Sequence, residues 1–504
     1  MMPVFAAIDV GSNAIRLVIG EVNAERRITV LEYLREPVRL GEDVFAHGVM
    51  SDKTIDRACD AFVKFRESID RYGVRWVRAV ATSACREALN RELFVDRIGQ
   101  ISDIEINTIN EEEEARLIYL AVADRVPLKD KAALLVDIGG GSTEVTLVSA
   151  GQILTTESFK MGSVRLLQLL RDSRHGEREF HQLLREYLES TQRKIKKELG
   201  DQRIELCVGT GGNIEVLGDL RKEVLGKERD MVLPADELDI LVKRLQSLSF
   251  EERVRQLGLR PDRADVIVPA SMILQKVMKQ AGVREVLIPR VGLKDGLLID
   301  MVQEFFGEKK QPSRVQVLAS ATQLGRKYQF DEAHGQTVAR LALQLFDGTK
   351  QLHNCTMEHR LLLEVAGLMH DIGTFVNMRD HHKHTQYLLT ASPLIGLTQA
   401  QQSLVSNIAR YHRKSMPKVQ HDSYRMFSTK DRALVSKLAA ILRLADALDN
   451  EHASRVDHVE IQFKKPKLMI RLVGEGDLLL EKWALVKKAP MFEEVFSVKI
   501  VVEE

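Results

Sequence analysis

The sequence lacks an excess of charge of either sign. It carries 73 Lys and Arg against 72 Asp and Glu, a net charge of +1. No global field therefore draws it to DNA or to an anionic membrane, and only local basic patches remain. Cysteine is scarce: Cys59, Cys85, Cys207 and Cys355 lie far apart and form no Cys-x-x-Cys pair. That excludes a disulfide framework and a cysteine zinc site, and reads as reduced core thiols of a cytoplasmic protein. No apolar run approaches the roughly 20 residues of a membrane span. The N-terminus enters a strand at once, without the basic region and apolar stretch of a signal peptide. What remains is ordinary globular composition, 44% hydrophobic and 29% charged, in 504 residues, enough for several domains with cores of their own.

The chain is organised around Ala133–Val148, ALLVDIGGGSTEVTLV. An apolar run ends in Asp137; Gly139, Gly140, Gly141, Ser142 and Thr143 follow; an alternating run containing Glu144 comes next. Period-2 patterning on both sides predicts two strands joined by a glycine turn, whose backbone N–H groups can cradle phosphate oxygens. Asp137 at the strand end can hold a cation that neutralises those oxygens. A glycine hairpin alone is a weak signal, but this one occurs twice. Phe5–Ile19 repeats it as FAAIDVGSNAIRLVI, with Asp9, Gly11, Ser12 and Asn13 at the turn. Each copy runs on into another alternating stretch (Arg27–Leu31 and Gln152–Thr156) and then to a glycine near a basic residue (Arg39 and Gly41; Gly162 and Arg165). A repeat found only twice predicts two similar domains facing each other across a cleft, not a solenoid.

Between the copies, Ser51-Asp52 predicts a helix start and Tyr72-Gly73 its stop, followed by a strand over Val74–Val80. Thr82 and Ser83 are N-cap candidates that put Arg86 in a first helical turn at a strand end, where it can meet phosphate or simply face solvent. After a short strand over Ile104–Ile109, Asn110 caps a helix opening with Glu111–Glu114. Most of these acids suit the helix dipole. Glu114 alone is in phase with Leu117, Ile118 and Ala121, so it can point into the cleft as a general base. Val126–Asp130 reads as a domain boundary. Beyond it, Val164–Leu199 reads as helix broken at Asp172–Gly176, Gly209, Gly211 and Gly212 form a third glycine loop after a strand, and Val283–Pro289 is a last strand before a closing helix from Gly292.

After the charged linker Glu308–Ser313 the chemistry changes: eleven of the fourteen histidines fall between His334 and His458. His334, His370-Asp371 and Asp446 lie in helical contexts that resemble the HD phosphohydrolase motif, with His384 and His412 as further ligands of a two-metal version. Imidazole with carboxylate suits a divalent cation, here a second one in the chain. The last fifty residues alternate over Val459–Phe463, Leu468–Leu472 and Val498–Val501, with a helix around Trp483.

The two Asp loops, Thr82–Ala88, Asn110–Leu120, the loop at Gly209 and Gly292–Leu298 together resemble the exopolyphosphatase and guanosine pentaphosphate phosphohydrolase family, strongly over about the first 300 residues. The resemblance implies an α/β protein of two duplicated ribonuclease-H-like (actin/hexokinase-type) domains, 1–126 and 127–307. An all-α HD-like domain (308–452) and a small α+β tail (453–504) follow. It implies hydrolysis of a terminal phosphoanhydride with magnesium. Glu114 is then the catalytic base, and Asp137 and Glu144 help place the ion. Gly11, Ser12, Asn13, Arg86, Gly139 to Thr143, Gly209, Gly211 and Gly212 hold phosphate. Lys294 departs from the arginine frequent there, which keeps the charge but loses a bidentate grip. The expected substrates are polyphosphate, with long chains preferred, or guanosine pentaphosphate; the expected assembly is a homodimer. The rivals are an ATP-dependent small-molecule kinase on the same fold, an HD-type nucleotide phosphohydrolase and an actin-like filament protein; no adenine-pocket signature supports the kinase.

Overall fold

The computed structural model describes residues 2–171, 203–227, 231–307, 314–392 and 394–503. The chain divides into two compact units, Met1–Lys309 and Lys310–Glu504. In the first, β1 (Val4–Val10), β2 (Ile15–Val22) and β3 (Ile28–Glu36) form an antiparallel meander. β4 (Trp76–Ala81) lies parallel to β1, and β5 (Ile106–Thr108) parallel to β4. The sheet order is β3-β2-β1-β4-β5. Short turns permit the antiparallel pairs, and the crossover helix Asp52–Arg71 permits the parallel one. Ser51 caps that helix by accepting from the Thr54 N–H. Its Ile55, Ala58, Phe62, Phe65 and Ile69 bury one face in the core beneath the sheet.

The plan repeats. β6 (Ala133–Ile138), β7 (Thr143–Ser149) and β8 (Gln152–Phe159) form the second meander, and β9 (Leu206–Thr210) runs parallel to β6. β10 (Val232–Pro234) and β11 (Glu285–Leu287) extend the far edge, giving the order β10-β11-β9-β6-β7-β8. β1 and β6 are buried almost throughout, as strands covered on both faces must be. The strand expected over Val283–Pro289 is confined to β11. A helix spans Ser163–Arg171; the break expected at Asp172–Gly176 and the helix beyond it lie outside the described residues.

The closing helix Leu293–Phe305 corrects one boundary. Taken with the second domain in the sequence, it packs instead on β1, β2 and the helix Glu111–Arg125 of the first. Gly296 allows this: a Cβ there would stand 1.8 Å from the Leu117 carbonyl oxygen. Asp300 then accepts from Arg78 Nη1 at 2.6 Å and Arg116 Nη2 at 3.0 Å. Phe305 meets Trp76 and Phe5 edge-on. Lys294, at the start of that helix, bonds Asp295 Oδ2 at 2.6 Å.

The second unit is helical, with long helices over Glu332–Gly348, Met357–Met369, His381–Ala391, Gln399–Arg410 and Thr429–Ala447. Its sheet is β12 (Val456–Lys464), β13 (Lys467–Gly474) and β14 (Lys499–Glu503), and the helix Leu479–Phe496 makes the crossover that the parallel β13–β14 pair requires. Val456, Leu468, Ile470, Leu485 and Phe492 share one core with Val338, Leu362 and Leu438. The tail is therefore built into the helical body. Among the described residues no helix is long and apolar enough to cross a membrane, and all four cysteines are free thiols.

Candidate active site

Both Asp-Gly turns close the same way. Gly11 N–H donates to the Ala14 carbonyl at 3.2 Å, and Gly139 N–H to the Ser142 carbonyl at 3.1 Å. The segment after each meander ties back to its turn: Gly41 N–H donates to Ser12 O at 2.8 Å, and Val164 N–H to Gly140 O at 2.8 Å. The repeat read in the sequence is thus a repeat of backbone hydrogen bonding.

The two turns meet. A Cβ on Gly140 would stand 2.9 Å from Ser12 Cβ, and one on Gly141 would lie 2.2 Å from Ser83 Oγ and 2.4 Å from Phe45 Cζ. Glycine is required where the lobes touch, because any side chain would hold them apart. Ser12 and Ser83 hydroxyls are 2.9 Å apart, and Asn13 Nδ2 donates to the Asp262 carbonyl at 3.1 Å. Arg35 pairs with Asp262, and Arg39 with Asp265 at 2.6 Å. Arg165 spans the same seam, donating to Gly141 O at 2.7 Å and Glu87 at 2.5 Å over the Phe45 ring.

Glu114, Asp137 and Glu144 converge, each offering an oxygen within 4.8 Å of the others. Asn110 caps the helix that carries Glu114 by accepting from Glu113 N–H at 2.9 Å. Glu114 is only 7% exposed. Arg86 Nη1 lies 3.4 Å from Glu114 Oε2 and donates to the Ile109 carbonyl at 2.5 Å, while Nη2 reaches Glu111 at 3.1 Å. Thr82 stands at the N-cap of the five-residue helix Ser83–Glu87 without a side-chain cap bond, so Arg86 is held by its partners. Thr210 Oγ1 donates to Asp137 Oδ1 at 2.6 Å, and Ser158 Oγ to Glu144 Oε1 at 2.9 Å. Glu144 Oε2 is buried without a hydrogen-bond partner. Burial, and then the charge of Glu144, holds the Glu114 carboxyl well above the usual range. Burial pushes Asp137 up to about 6, and burial with the Asp137 charge pushes Glu144 to about 7. Three crowded acids and an orphaned oxygen fit a small divalent cation.

The other residues expected at the site divide. Gly211, at φ +98°, and Gly212 let the third loop press against Ile138 and Arg263. Gly209 lies within β9, its missing Cβ facing Ile214 and Val286. The loop thus acts on the site through Thr210, which the sequence reading passed over although it stands between two named glycines. Thr143 is fully buried and donates its hydroxyl to the Met161 carbonyl at 2.8 Å. The sequence offered Ser83 only as an N-cap candidate and Arg165 only as the basic residue near Gly162; neither was expected at the site.

The second unit gathers another cluster. His334 Nε2 and His370 Nε2 are 3.2 Å apart, with Asp446 Oδ1 at 3.9 and 3.5 Å. His381 Nε2 and His412 Nε2 are 3.1 Å apart, with Asp371 Oδ1 at 3.0 and 3.4 Å. His381, buried in the first turn of its helix, takes the place expected of His384, which lies three residues on and belongs to none of the converging groups among the described residues. Burial and the neighbouring His370 charge lower His412 to about 3, so its ring is neutral.

A duplicated sheet with an acid and a glycine turn at the end of its first strand defines the class, a phosphate-handling protein of actin/hexokinase-like α/β fold. Residues 18–305 match the model of the Ppx/GppA phosphatase family, and residues 318–488 that of Ppx/GppA phosphatase, domain III. The chain belongs to the Ppx/GppA phosphatase family and is a phosphohydrolase. The domain III match runs through the boundary expected at 452, as the shared core requires. Among curated relatives, a guanosine-5'-triphosphate,3'-diphosphate pyrophosphatase of Vibrio vulnificus (strain YJ016) is 27% identical over 82% of this chain and 81% of its own. One of Vibrio parahaemolyticus is 26% identical over 95% and 91%. Among solved structures, an exopolyphosphatase from Cytophaga hutchinsonii is 27% identical with a TM-score of 0.56, covering 60% of this chain and 98% of that one. An Aquifex aeolicus member of the Ppx/GppA family gives 25% and 0.52, covering 61% and 99%.

Proposed function

We propose that the Glu114 cleft hydrolyses the terminal phosphoanhydride of inorganic polyphosphate. The observation that carries this is the convergence of Glu114 with Asp137 and Glu144 beside two glycine turns. The turns bind the terminal phosphates through backbone N–H groups, and Arg86 faces the outgoing charge. Glu114, whose burial raises its affinity for a proton, takes one from the attacking water. The water oxygen forms the new P–O bond, the bridging P–O bond breaks, and the shortened chain leaves with its electron pair. Asp137 and Glu144 would hold magnesium, which when bound neutralises phosphate oxygens. Thr210 and Ser158 orient these two carboxylates through the bonds described above.

Guanosine pentaphosphate is the second reading. It ends in the same anhydride, and it is favoured by the names of relatives aligned over most of both chains. The experiment is kcat/KM for long polyphosphate, short polyphosphate and guanosine pentaphosphate on one preparation. The highest value is expected for long chains; an equal or higher value for the nucleotide reverses the order. Phosphate transferred from ATP to an added hydroxyl compound, with none released from either substrate, would establish the kinase instead. The working assembly is proposed to be a cytoplasmic homodimer, and light scattering that gives a monomer removes it. The cluster of the second unit is proposed as a separate site for a divalent cation.

A further inference from the structure

Resting on the reading of the glycine turns as phosphate-binding, we propose that Arg165 is a positioning residue for phosphoanhydride hydrolysis. It turns the Ser142 N–H toward the substrate, and its grip depends on contact with the other lobe. The start of the helix Ser163–Arg171 lies flat on the second turn. A Cβ on Gly162 would stand 2.2 Å from the Gly141 carbonyl carbon and 2.3 Å from the Gly140 oxygen. At that range the helix start takes the carbonyls of all three glycines of the turn. Gly139 O accepts from Ser163 N–H at 3.1 Å and from Ser163 Oγ at 3.2 Å. Gly140 O accepts from Val164 N–H at 2.8 Å and from Arg165 N–H at 3.0 Å. Gly141 O accepts from Arg165 Nε at 2.7 Å.

In a planar trans peptide the carbonyl of one residue and the N–H of the next point opposite ways. Three carbonyls drawn to the helix therefore send the N–H groups of Gly140, Gly141 and Ser142 away from it. Among the described residues none of these three donates to a protein acceptor. Adjacent N–H groups on one side of a turn form a nest for phosphate oxygens. The first two are fixed by backbone donors, which any residue except proline supplies. Only the Ser142 N–H depends on a side chain, that of Arg165. This guanidinium is held in turn by the first lobe. Its Nη2 donates to Glu87 at 2.5 Å, and its carbon lies 4.0 Å from the centre of the Phe45 ring. Opening the seam removes both supports. The first turn has no such device. Arg39, at the matching place, donates to Asn13 O only through its backbone N–H, and its side chain goes to Asp265 and Glu42.

The test uses the full chain with magnesium present. Tripolyphosphate binding is measured by calorimetry in a Glu114→Gln background, and kcat and KM for polyphosphate in the active chain. Arg165→Met keeps the stem over Phe45 and loses both hydrogen bonds. It is expected to weaken tripolyphosphate about 30-fold, the size of one charge-assisted hydrogen bond. KM should rise likewise while kcat stays within about threefold. Arg165→Lys keeps the charge but not the fork, and should restore no more than about threefold. Glu87→Gln should weaken binding about fivefold, and Arg165→Met/Glu87→Gln should bind no worse than Arg165→Met, because both act on one bond. A side chain that only attracts the polyanion by charge gives the reverse. Lysine would then restore affinity, and Glu87→Gln, which removes a negative charge, would tighten binding; either result overturns the proposal. Gly141→Ala keeps the two readings apart. Binding lost there but kept in Arg165→Met overturns the role of Arg165 alone, and binding kept in both overturns the turn as a phosphate site as well. Glu87 is one-third exposed and its amide is isosteric, so that arm decides the matter even where Arg165→Met fails to fold.

Discussion

In the first hairpin Asp9 stands opposite Arg16 across β1 and β2 and accepts from its guanidinium at 2.7 Å. In the second, Asp137 stands opposite Glu144 across β6 and β7. Strand order, turn hydrogen bonds and the tie from the following segment are otherwise shared. The acid of the first copy is neutralised within its own hairpin. The acid of the second faces another acid, with Glu114 arriving from the helix that leaves the first sheet. Three crowded carboxylates share one guanidinium, Arg86 at 3.4 Å from Glu114, so most of their charge is left for water or a cation to answer, and burial of Glu114 and Glu144 excludes much of the water. The duplication thus preserved a fold and separated two tasks. One lobe brings a self-balanced turn, and the other keeps a cluster of acids that, on the proposed reading, seats a cation.

Removing the acid that only the second hairpin receives should have the largest effect. Glu114→Gln keeps size and burial but cannot take a proton. Phosphate release should fall about 10³-fold, about 4 kcal/mol in the barrier. A fall of less than about tenfold would place the base elsewhere. Closing the seam comes next. A Cβ on Gly141 meets Ser83 and Phe45 of the other lobe at 2.2 and 2.4 Å, whereas one on Gly139 meets only Ser142 O of its own turn at 3.2 Å. Gly141→Ala should therefore lower kcat/KM about 100-fold, about 2.7 kcal/mol, with little change in melting temperature, and Gly139→Ala by about tenfold or less. Equal losses in the two variants would mean that lobe contact is not what Gly141 supplies.

How much of this was legible depended on how local the signal is. Both hairpins, the Asn110 cap and the phase of Glu114 are carried by neighbours within about four residues, and strand and helix periodicity report such neighbours directly. The charge contrast was also in plain sight, since Arg16 and Glu144 sit at matching places in the two runs. What stayed hidden depends on distant partners. The closing helix has an apolar face but no mark of which sheet it covers; Gly296, with its close approach to Leu117, shows this only once both helices are placed. His381, His382 and His384 crowd one helical turn, and a difference of one residue turns a side chain by about 100°. Spacing could not select among them, and their partner His412, in the turn after the helix Gln399–Arg410, did. The tail strands were readable as strands, but their share in the helical core rests on contacts a hundred residues apart.

The smallest effect concerns stability and the acid of the second hairpin alone. Burial raises Asp137 to about 6 in the folded chain, against an ordinary value near 3.8. A carboxyl raised on folding binds its proton more tightly in the native state. Its stabilising share is therefore fully present below about pH 4 and is lost as pH rises through about 6. Above that pH the ionised form costs up to about 3 kcal/mol in the native state. Asn at this position never ionises. In chelator, Asp137→Asn should melt at or below the wild-type temperature near pH 4. It should melt a few degrees above wild type at pH 7.5, the crossover falling between pH 5 and about 7. Saturating magnesium should cancel the gain, since the ion stabilises only the carboxylate. Asp9→Asn should show the opposite sign at pH 7.5, because it leaves the Arg16 guanidinium without the partner that now stands 2.7 Å away. A melting difference for Asp137→Asn that does not move with pH would mean that the second acidic hairpin is already neutralised within the protein, and the contrast between the two copies would fall.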